Sequence, residues 1–473
     1  MSHTVVIGAD PAGLTASYEL AKHHCDVTVL EASNTVGGLF RTESFQGYSI
    51  DLGTGGFSTQ DEAVARLWDD LVGEDAVAVE VRSLVHFHHR LFNYPLSVTN
   101  ALKHLGPIDV TLSGLSYLAA QQTSLAEERT AEDWINRRFG KYLGRTFFDP
   151  YLQKVWGVPG DHLASEMVSR SLTRPSGKDN TLVRAAIGAV ADIPPKTVAY
   201  PSQGMGQVWE TCKSQLEQAG AAIAIGTQLI RLEHSNHRVT QAIATTGKNI
   251  QTIPVEHLVS SVPLCELVTK LNAPANVQNA AECLKHRNII QVALVLDVAE
   301  LFGEQWLYVH RPDVLVSRVQ NYKNWSLAMV PKADTTCLGL TYFCEDADVL
   351  WHASAEELVQ MASRELVALG IIECSSLVHD GVALRQQHAY PIHTVNTHKH
   401  LAIVQNYLEG FDNLQVVGRQ GLHSCAPLES CIWSGQQAAE NILGQQITDR
   451  RYARPNLWND RLPAVQVPKQ VVF

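Results

Sequence analysis

Residues 4–31 read TVVIGADPAGLTASYELAKHHCDVTVLE, and the fold turns on this stretch. Thr4, Val5, Val6 and Ile7 make a short β-branched run suited to a buried parallel strand. The run enters Gly8-Ala9-Asp10-Pro11-Ala12-Gly13, and Leu14 to His23 continue as a helix. A second strand, Asp26 to Leu30, ends in Glu31, an acid 18 residues after Gly13. Strand, glycine turn, helix, strand and acid in this register are the dinucleotide-binding βαβ arrangement. Gly8 permits the tight turn, Gly13 lets the helix lie close to the strand, and Glu31 can accept from ribose hydroxyls. The helix N-terminus offers unpaired N–H groups and a positive dipole to a pyrophosphate. Ala12 and Ala32 fall beside these positions and join them as expected cofactor contacts.

Asp10 stands where the middle glycine of that pattern lets the backbone approach the phosphates. A carboxylate ~4 Å from a phosphate charge costs up to ~4 kcal/mol at an effective dielectric of 20. Rotation into solvent, or a bridging cation or water, relieves the cost. The expectation is a tolerated surface substitution with a slightly displaced cofactor; the alternative is weakened or absent cofactor binding.

Beyond this stretch the composition is that of a globular protein. Gly (31) and Pro (19) are ordinary for 473 residues, which excludes collagen-like and low-complexity chains. With 45% hydrophobic and 18% charged residues the chain can bury a large core, and its length suggests two or three domains. A net charge of −11 argues against a general nucleic-acid binder, which needs clustered basic charge. No apolar run is long enough for a transmembrane helix, and MSHTVVIGAD does not resemble a signal peptide. The nine cysteines include no CxxC pair and read as reduced thiols of a cytoplasmic protein. The run of His86, His88 and His89 alternates with Leu84, Phe87 and Leu91 like a strand and turn, with no further ligand at metal spacing, so no metal site is expected.

After Glu31 and Ala32 comes VGGLFRT, with Gly37, Gly38, Arg41 and Thr42. Further on stand SQGMGQVWE (Ser202 to Glu210), HLVSSVP (His257 to Pro263) and LQVVGRQGL (Leu414 to Leu422). In these segments the chain resembles the FAD-dependent superfamily of amine oxidases, protoporphyrinogen oxidases and UDP-galactopyranose mutases. The resemblance spans nearly the whole chain to about residue 445. It implies FAD as cofactor, with Gly37, Gly38, Arg41 and Thr42 near it, and with Gly418 and Arg419 meeting it from the C-terminal strand. It also places DLGTGGFSTQ (Asp51 to Gln60) against the flavin, bringing in Gly53 and Thr54; here Thr54 replaces a glycine and Gly55 a histidine of the related pattern. In SCAPLESC (Ser424 to Cys431), Glu429 and Ser430 stand where relatives carry an Asp-His pair. A dehydrogenase using NAD alone would keep its nucleotide fold in one contiguous block and would not need Gly418 and Arg419.

The implied fold class is α/β. A Rossmann-like FAD-binding domain is assembled from discontinuous segments, residues 1–80, 195–265 and 405–445. Residues 81–194 and 266–404 would form an α+β substrate domain with a mixed or antiparallel sheet and a helical region; 446–473 is a tail. Thr59 with Glu62 suggests a capping box, as does Ser354 with Glu357. Arg318, Asn321, Lys323 and Trp325 of RVQNYKNW, with Lys154, are the expected substrate-binding groups, since a cation there can hold a phosphate or carboxylate. Glu429, Tyr342 and Lys323 are the candidate catalytic residues. The expected function is hydride transfer from a small-molecule biosynthetic intermediate, of a secondary-metabolite or glycan pathway, to FAD. The alternatives are a redox-neutral, flavin-assisted isomerase or mutase of a nucleotide sugar, and a flavin-independent catalyst or scaffold that keeps the fold.

Overall fold

The run His3–Ile7 (β1) is the middle strand of a five-stranded parallel sheet in the computed structural model, which describes residues 3–53, 55–94, 106–122, 128–172 and 196–444. The strand order is Leu414–Val416, His257–Ser260, β1, Asp26–Leu30 (β2) and Ala222–Ala224. Every neighbouring pair is parallel. Val5 and Val6 are wholly buried, so both faces of β1 are covered, which is why the run is apolar without alternation. Helix α1 (Pro11–Lys22) packs along the helix Leu428–Leu443. A Cβ at Gly435 would come within 2.4 Å of the Ala12 carbonyl oxygen, so this contact requires glycine. Four regions widely separated in the chain thus meet around β1.

A second sheet of seven strands runs in the order Val378–Pro391, His286–Leu296, Thr336–Cys344, Arg318–Asn321, Trp306–Val309, Ser83–Phe87 and Arg90–Tyr94. It is antiparallel except where Trp306–Val309 meets Ser83–Phe87 in parallel, so it is mixed. Strand His286–Leu296 shows its two faces by alternation. Ile290, Val292 and Leu294 pack with Leu358 and Leu366 of the helix Ala355–Ala368, whereas Ile289, Ala293 and Val295 join the core that contains α1. The described part of the region between the two sheets' early segments is helical, over Pro107–Gln122, Ala131–Leu143, Asp149–Trp156 and Glu166–Leu172. Among the described residues, no helix is long and apolar enough to cross a membrane.

Local signals fare differently. Ser354 and Glu357 form the reciprocal box at the start of Ala355–Ala368. Thr59 and Glu62 do not: the helix Glu62–Val72 is capped by Asp61, whose carboxylate accepts from the N–H groups of Ala63 and Val64. An acid one residue ahead of the helix reaches both donors, and Thr59 is left to donate elsewhere.

Candidate active site

The turn between β1 and α1 closes so tightly that a Cβ at Gly13 would lie 2.1 Å from the Gly8 carbonyl oxygen. Gly37 donates its N–H to the Ala9 carbonyl at 2.7 Å, bringing the Gly37–Gly38 turn against the same spot. The third approach is Gly418, with φ at +76°. A Cβ there would lie 2.9 Å from the Ala12 methyl, so the position has no room for a side chain. Glu31 closes the far side, accepting from Ala9 N–H at 2.7 Å and Ser33 N–H at 2.8 Å. Ala32 is exposed beside it.

Asp10 corrects the expectation of a surface carboxylate turned to solvent. It is the N-cap of α1, with Oδ1 accepting from Gly13 N–H at 2.9 Å. A Cβ on Gly38 would be 3.1 Å from the Asp10 Cβ, and one on Gly418 would be 3.1 Å from Oδ2. The carboxyl therefore sits where the three glycine-bearing segments converge. Burial raises its pKa to about 6, with Glu31 adding to the rise, while bonds from Gly13 and Ser261 oppose it. The physical reason for the inward orientation is the unpaired N–H groups at the start of α1, which a short carboxylate satisfies locally.

Arg41 and Thr42 lie one turn on. Arg41 donates to Glu43 at 2.8 Å and to the Gly38 carbonyl at 2.9 Å, and it also bonds Gln386, so it ties the cradle to the strand Val378–Pro391. Thr42 accepts from Gly206 N–H at 2.7 Å and donates to Asp51. Asp51 is buried and gathers donors from Thr42, Tyr200 and the Met205 N–H; burial pushes its pKa up to about 6. This hub holds the chain entering Gly53, where a Cβ would meet the Leu39 carbonyl oxygen at 2.5 Å. Thr54 lies outside the described residues.

Arg419 follows Gly418 into the interior. One Nη donates to the Ala426 carbonyl at 2.8 Å, while its buried Nε and Nη1 have no partner among the described residues. Its guanidinium stands 5.5 Å from the Phe40 ring and 5.0 Å from the Tyr390 ring. Arg318 approaches Tyr390 from the second sheet, with Nη2 3.4 Å from the hydroxyl, and lies over Trp306 and Phe343. Burial alone would push the Tyr390 phenol up, but Arg318 and Arg419 together outweigh it and hold the phenol below its ordinary value. Tyr151 and Tyr308 also act on Arg318, so one cation faces three phenols. Trp156 meets Tyr390 edge to face.

Several expected site residues serve the scaffold instead. Lys323 donates from Nζ to the carbonyls of Ala299, Ala333 and Thr335 at 2.7–2.9 Å. Lys154 is similarly spent on Val309, Arg311 and Val316 at 2.6–3.0 Å, and burial lowers its pKa to about 8. Tyr342 is wholly buried in the core beneath Ala355–Ala368 and donates to Glu365 at 3.0 Å. Trp325 is buried and stacks on Tyr200 at 4.7 Å, and Asn321 is buried with Nδ2 on the Phe302 carbonyl at 3.3 Å. For Lys323, Lys154 and Tyr342 the cause is shared: a cation or hydroxyl flanked by apolar strands is drawn to carbonyls or carboxylates nearby, whereas Trp325 is taken up by aromatic packing. Arg318 donates from Nε to the Thr341 hydroxyl at 3.1 Å, and its guanidinium keeps the aromatic surroundings of Trp306, Phe343 and Tyr390. Glu429 lies in the first turn of Leu428–Leu443 and accepts from Thr59.

Sequence reasoning did not find Tyr390, Tyr151, Tyr308 or Ser261. Tyr390 stands next to Pro391, the last residue of the long strand Val378–Pro391, and a tyrosine at a strand end was the available signal.

A flavin dinucleotide fits the residues present on two observations: the turns at Gly8–Gly13, Gly37–Gly38 and Gly418 pack together at the start of α1 with no room for a Cβ at Gly13 or Gly418, and Arg419 next to them keeps two donors without a partner among the described residues.

A sequence model of the flavin-containing amine oxidoreductases matches residues 11–443. The coproporphyrinogen III oxidase of Mycobacterium tuberculosis (strain ATCC 25618 / H37Rv) is 25% identical over 199 residues, 38% of this chain. The chain spans 44% of the length of that relative. Among solved structures, reduced UDP-galactopyranose mutase superposes with a TM-score of 0.81 at 19% identity, covering 94% of this chain and 96% of that one. A provisionally assigned protoporphyrinogen oxidase from Exiguobacterium sp. 255-15 gives 0.75 at 16% identity, over 94% and 99% of the two chains. A putrescine oxidase variant gives 0.62 at 15% identity, over 94% and 100%.

Proposed function

The chain belongs to the flavin-containing amine oxidoreductase family, and on that premise we propose that it is an FAD-dependent oxidoreductase acting by hydride transfer on an anionic small-molecule intermediate. Bound FAD would supply the two-electron acceptor that protein side chains lack. The turns at Gly8–Gly13, Gly37–Gly38 and Gly418 would hold the pyrophosphate, Glu31 the ribose, and Arg419 would contribute the free guanidinium donors. Arg318 and Tyr390 would bind and orient a phosphate or carboxylate of the substrate through charge-assisted hydrogen bonds. Trp306, Phe343 and Trp156 would exclude water around them. Glu429, oriented by Thr59, would hold or accept a proton.

The observation that carries this reading is the convergence of three glycine turns on one spot beside Arg419's unpartnered donors. The visible spectrum of the purified protein tests it: flavin absorbance should be present, or should appear after FAD addition and gel filtration. Protein that stays colourless after both treatments overturns it. The cation among three phenols also suits a diphosphate, which keeps a redox-neutral reaction on a nucleotide sugar as a second reading. Turnover that requires chemically reduced flavin and consumes no oxidant would favour that second reading.

A further inference from the structure

The one cradle residue that the cofactor reading leaves unexplained is Asp10. Its carboxyl already occupies the N-terminus of α1, with Oδ1 on Gly13 N–H at 2.9 Å and Oδ2 turned toward Gly418. A pyrophosphate bound at this turn would share the same donors. Two ionised acids cannot be accommodated side by side in a desolvated seat, and the usual outcome is that one of them keeps a proton.

The structure thus assigns Asp10 the role of a proton-linked gate: FAD binds to the form of the protein in which the Asp10 carboxyl is protonated, and above that group's pKa each binding event takes up one proton from solvent. This rests on the FAD reading above.

The surroundings of the carboxyl favour the proton. Facing it are the N–H groups of Ala12 and Gly13 in α1, the Ser261 hydroxyl after the strand His257–Ser260, and the Glu31 carboxylate at the end of β2. From the C-terminal segment, Cys431 and Arg419 are the ionisable groups, the thiol being influenced by both Arg419 and Asp10. Beside Gly38, Arg41 is engaged by Glu43 at 2.8 Å. Burial and Glu31 already raise the Asp10 pKa to about 6 before any phosphate arrives. A bound pyrophosphate, being anionic, raises it further. The sign follows by linkage: the dissociation constant is flat where Asp10 is protonated in both states, and it rises about tenfold per pH unit above the free protein's pKa.

Flavin-free full-length protein titrated with FAD in non-phosphate buffers from pH 5.5 to 8.5 tests this. The expected result is a dissociation constant about 50-fold weaker at pH 8 than at pH 6. In the same titration Asp10→Asn should bind with no such dependence. Calorimetry of the unmodified chain in two buffers of different ionisation enthalpy should show uptake of close to one proton at pH 7.5, a measurement that needs no variant to fold. An unchanged dissociation constant across this range, with FAD still bound, overturns the gate and leaves the FAD reading standing. So does binding that depends on added magnesium rather than on pH, which would mean a bridging cation. Binding by Asp10→Gly but by the unmodified chain at no pH also overturns it. Failure of the unmodified chain, Asp10→Asn and Asp10→Gly to bind FAD at any pH overturns both readings together.

Discussion

Arg318 reaches the Tyr390 hydroxyl at 3.4 Å from Nη2, and the phenol lies below its ordinary pKa although it is buried. Two cations, Arg318 and Arg419, outweigh desolvation there, so the local field favours a negative charge. Replacing Arg318 by Met should therefore weaken the binding of an anionic ligand. A charge-assisted hydrogen bond in such a place contributes about 1.5–3 kcal/mol, or roughly 10–150-fold in affinity. The check is a titration of the FAD-loaded protein with sulfate, read as a perturbation of the flavin spectrum; FAD affinity itself should change less than about twofold.

Glu429 is fixed by Thr59 across 370 residues of sequence, at the first turn of the C-terminal helix. If it holds a proton for the substrate, Glu429→Gln should lower kcat by about 10²–10⁴ and leave KM and FAD content near those of the unmodified protein. Thr59→Val, which removes the orienting bond together with the one Thr59 accepts from Asp61 N–H at 3.0 Å, should lie between the two. Rapid-mixing measurement of flavin reduction by a substrate separates this step from product release. Retention of kcat within twofold in Glu429→Gln would leave Glu429 as a favourable charge at a helix N-terminus.

Lys323 and Tyr342 should behave as structural residues. Lys323→Met removes a cation from the carbonyls of Ala299, Ala333 and Thr335, and Tyr342→Phe leaves Glu365 short of one donor. Each substitution should cost about 1–3 kcal/mol of stability, read from urea unfolding, while flavin content and sulfate binding stay unchanged.

These two residues also show where the sequence stops being readable. The βαβ unit and the Gly-Arg segment were legible because each is a local pattern: turn, helix start and acid fall within 31 residues, and Gly418 precedes Arg419 directly. The antiparallel part of the second sheet was legible in outline from alternation over 286–345. Which face of a strand meets the cofactor is a tertiary fact. Tyr342 and Arg318 lie on adjacent, paired strands, yet one packs under a helix against Glu365 and the other meets Tyr390. Likewise the carbonyls that hold Lys323 come from loops 10 to 24 residues away, and no spacing rule marks them. Asp10 was legible as an anomaly, and its capping bond to Gly13 is local, but its enclosure depends on Gly38 and Gly418 arriving from elsewhere.

The pH dependence of stability should reveal two opposed sets of buried groups. Burial lowers His286 and His310 to about 3 and His423 well below its ordinary value. For these three the unfolded chain binds more protons than the native one below about pH 6.5, so their contribution to stability is complete above that pH and is lost as pH falls. Asp51 works the other way. Its native pKa of about 6 exceeds its unfolded value, so between about pH 4 and 6 the native state binds the extra proton and stability falls as pH rises. Asp10 acts in the same sense over the same window. Each uncompensated proton is worth ~1.4 kcal/mol per pH unit. The three histidines thus lower the stability of the flavin-free protein toward acid, and Asp51 and Asp10 oppose them. Asp51→Asn removes one opposing group and should steepen the loss of stability toward acid by about one proton between pH 6 and 4, as read from urea unfolding at half-unit intervals. A slope unchanged by Asp51→Asn would mean that the donors from Thr42, Tyr200 and Met205 hold Asp51 ionised throughout, their bonds outweighing its burial.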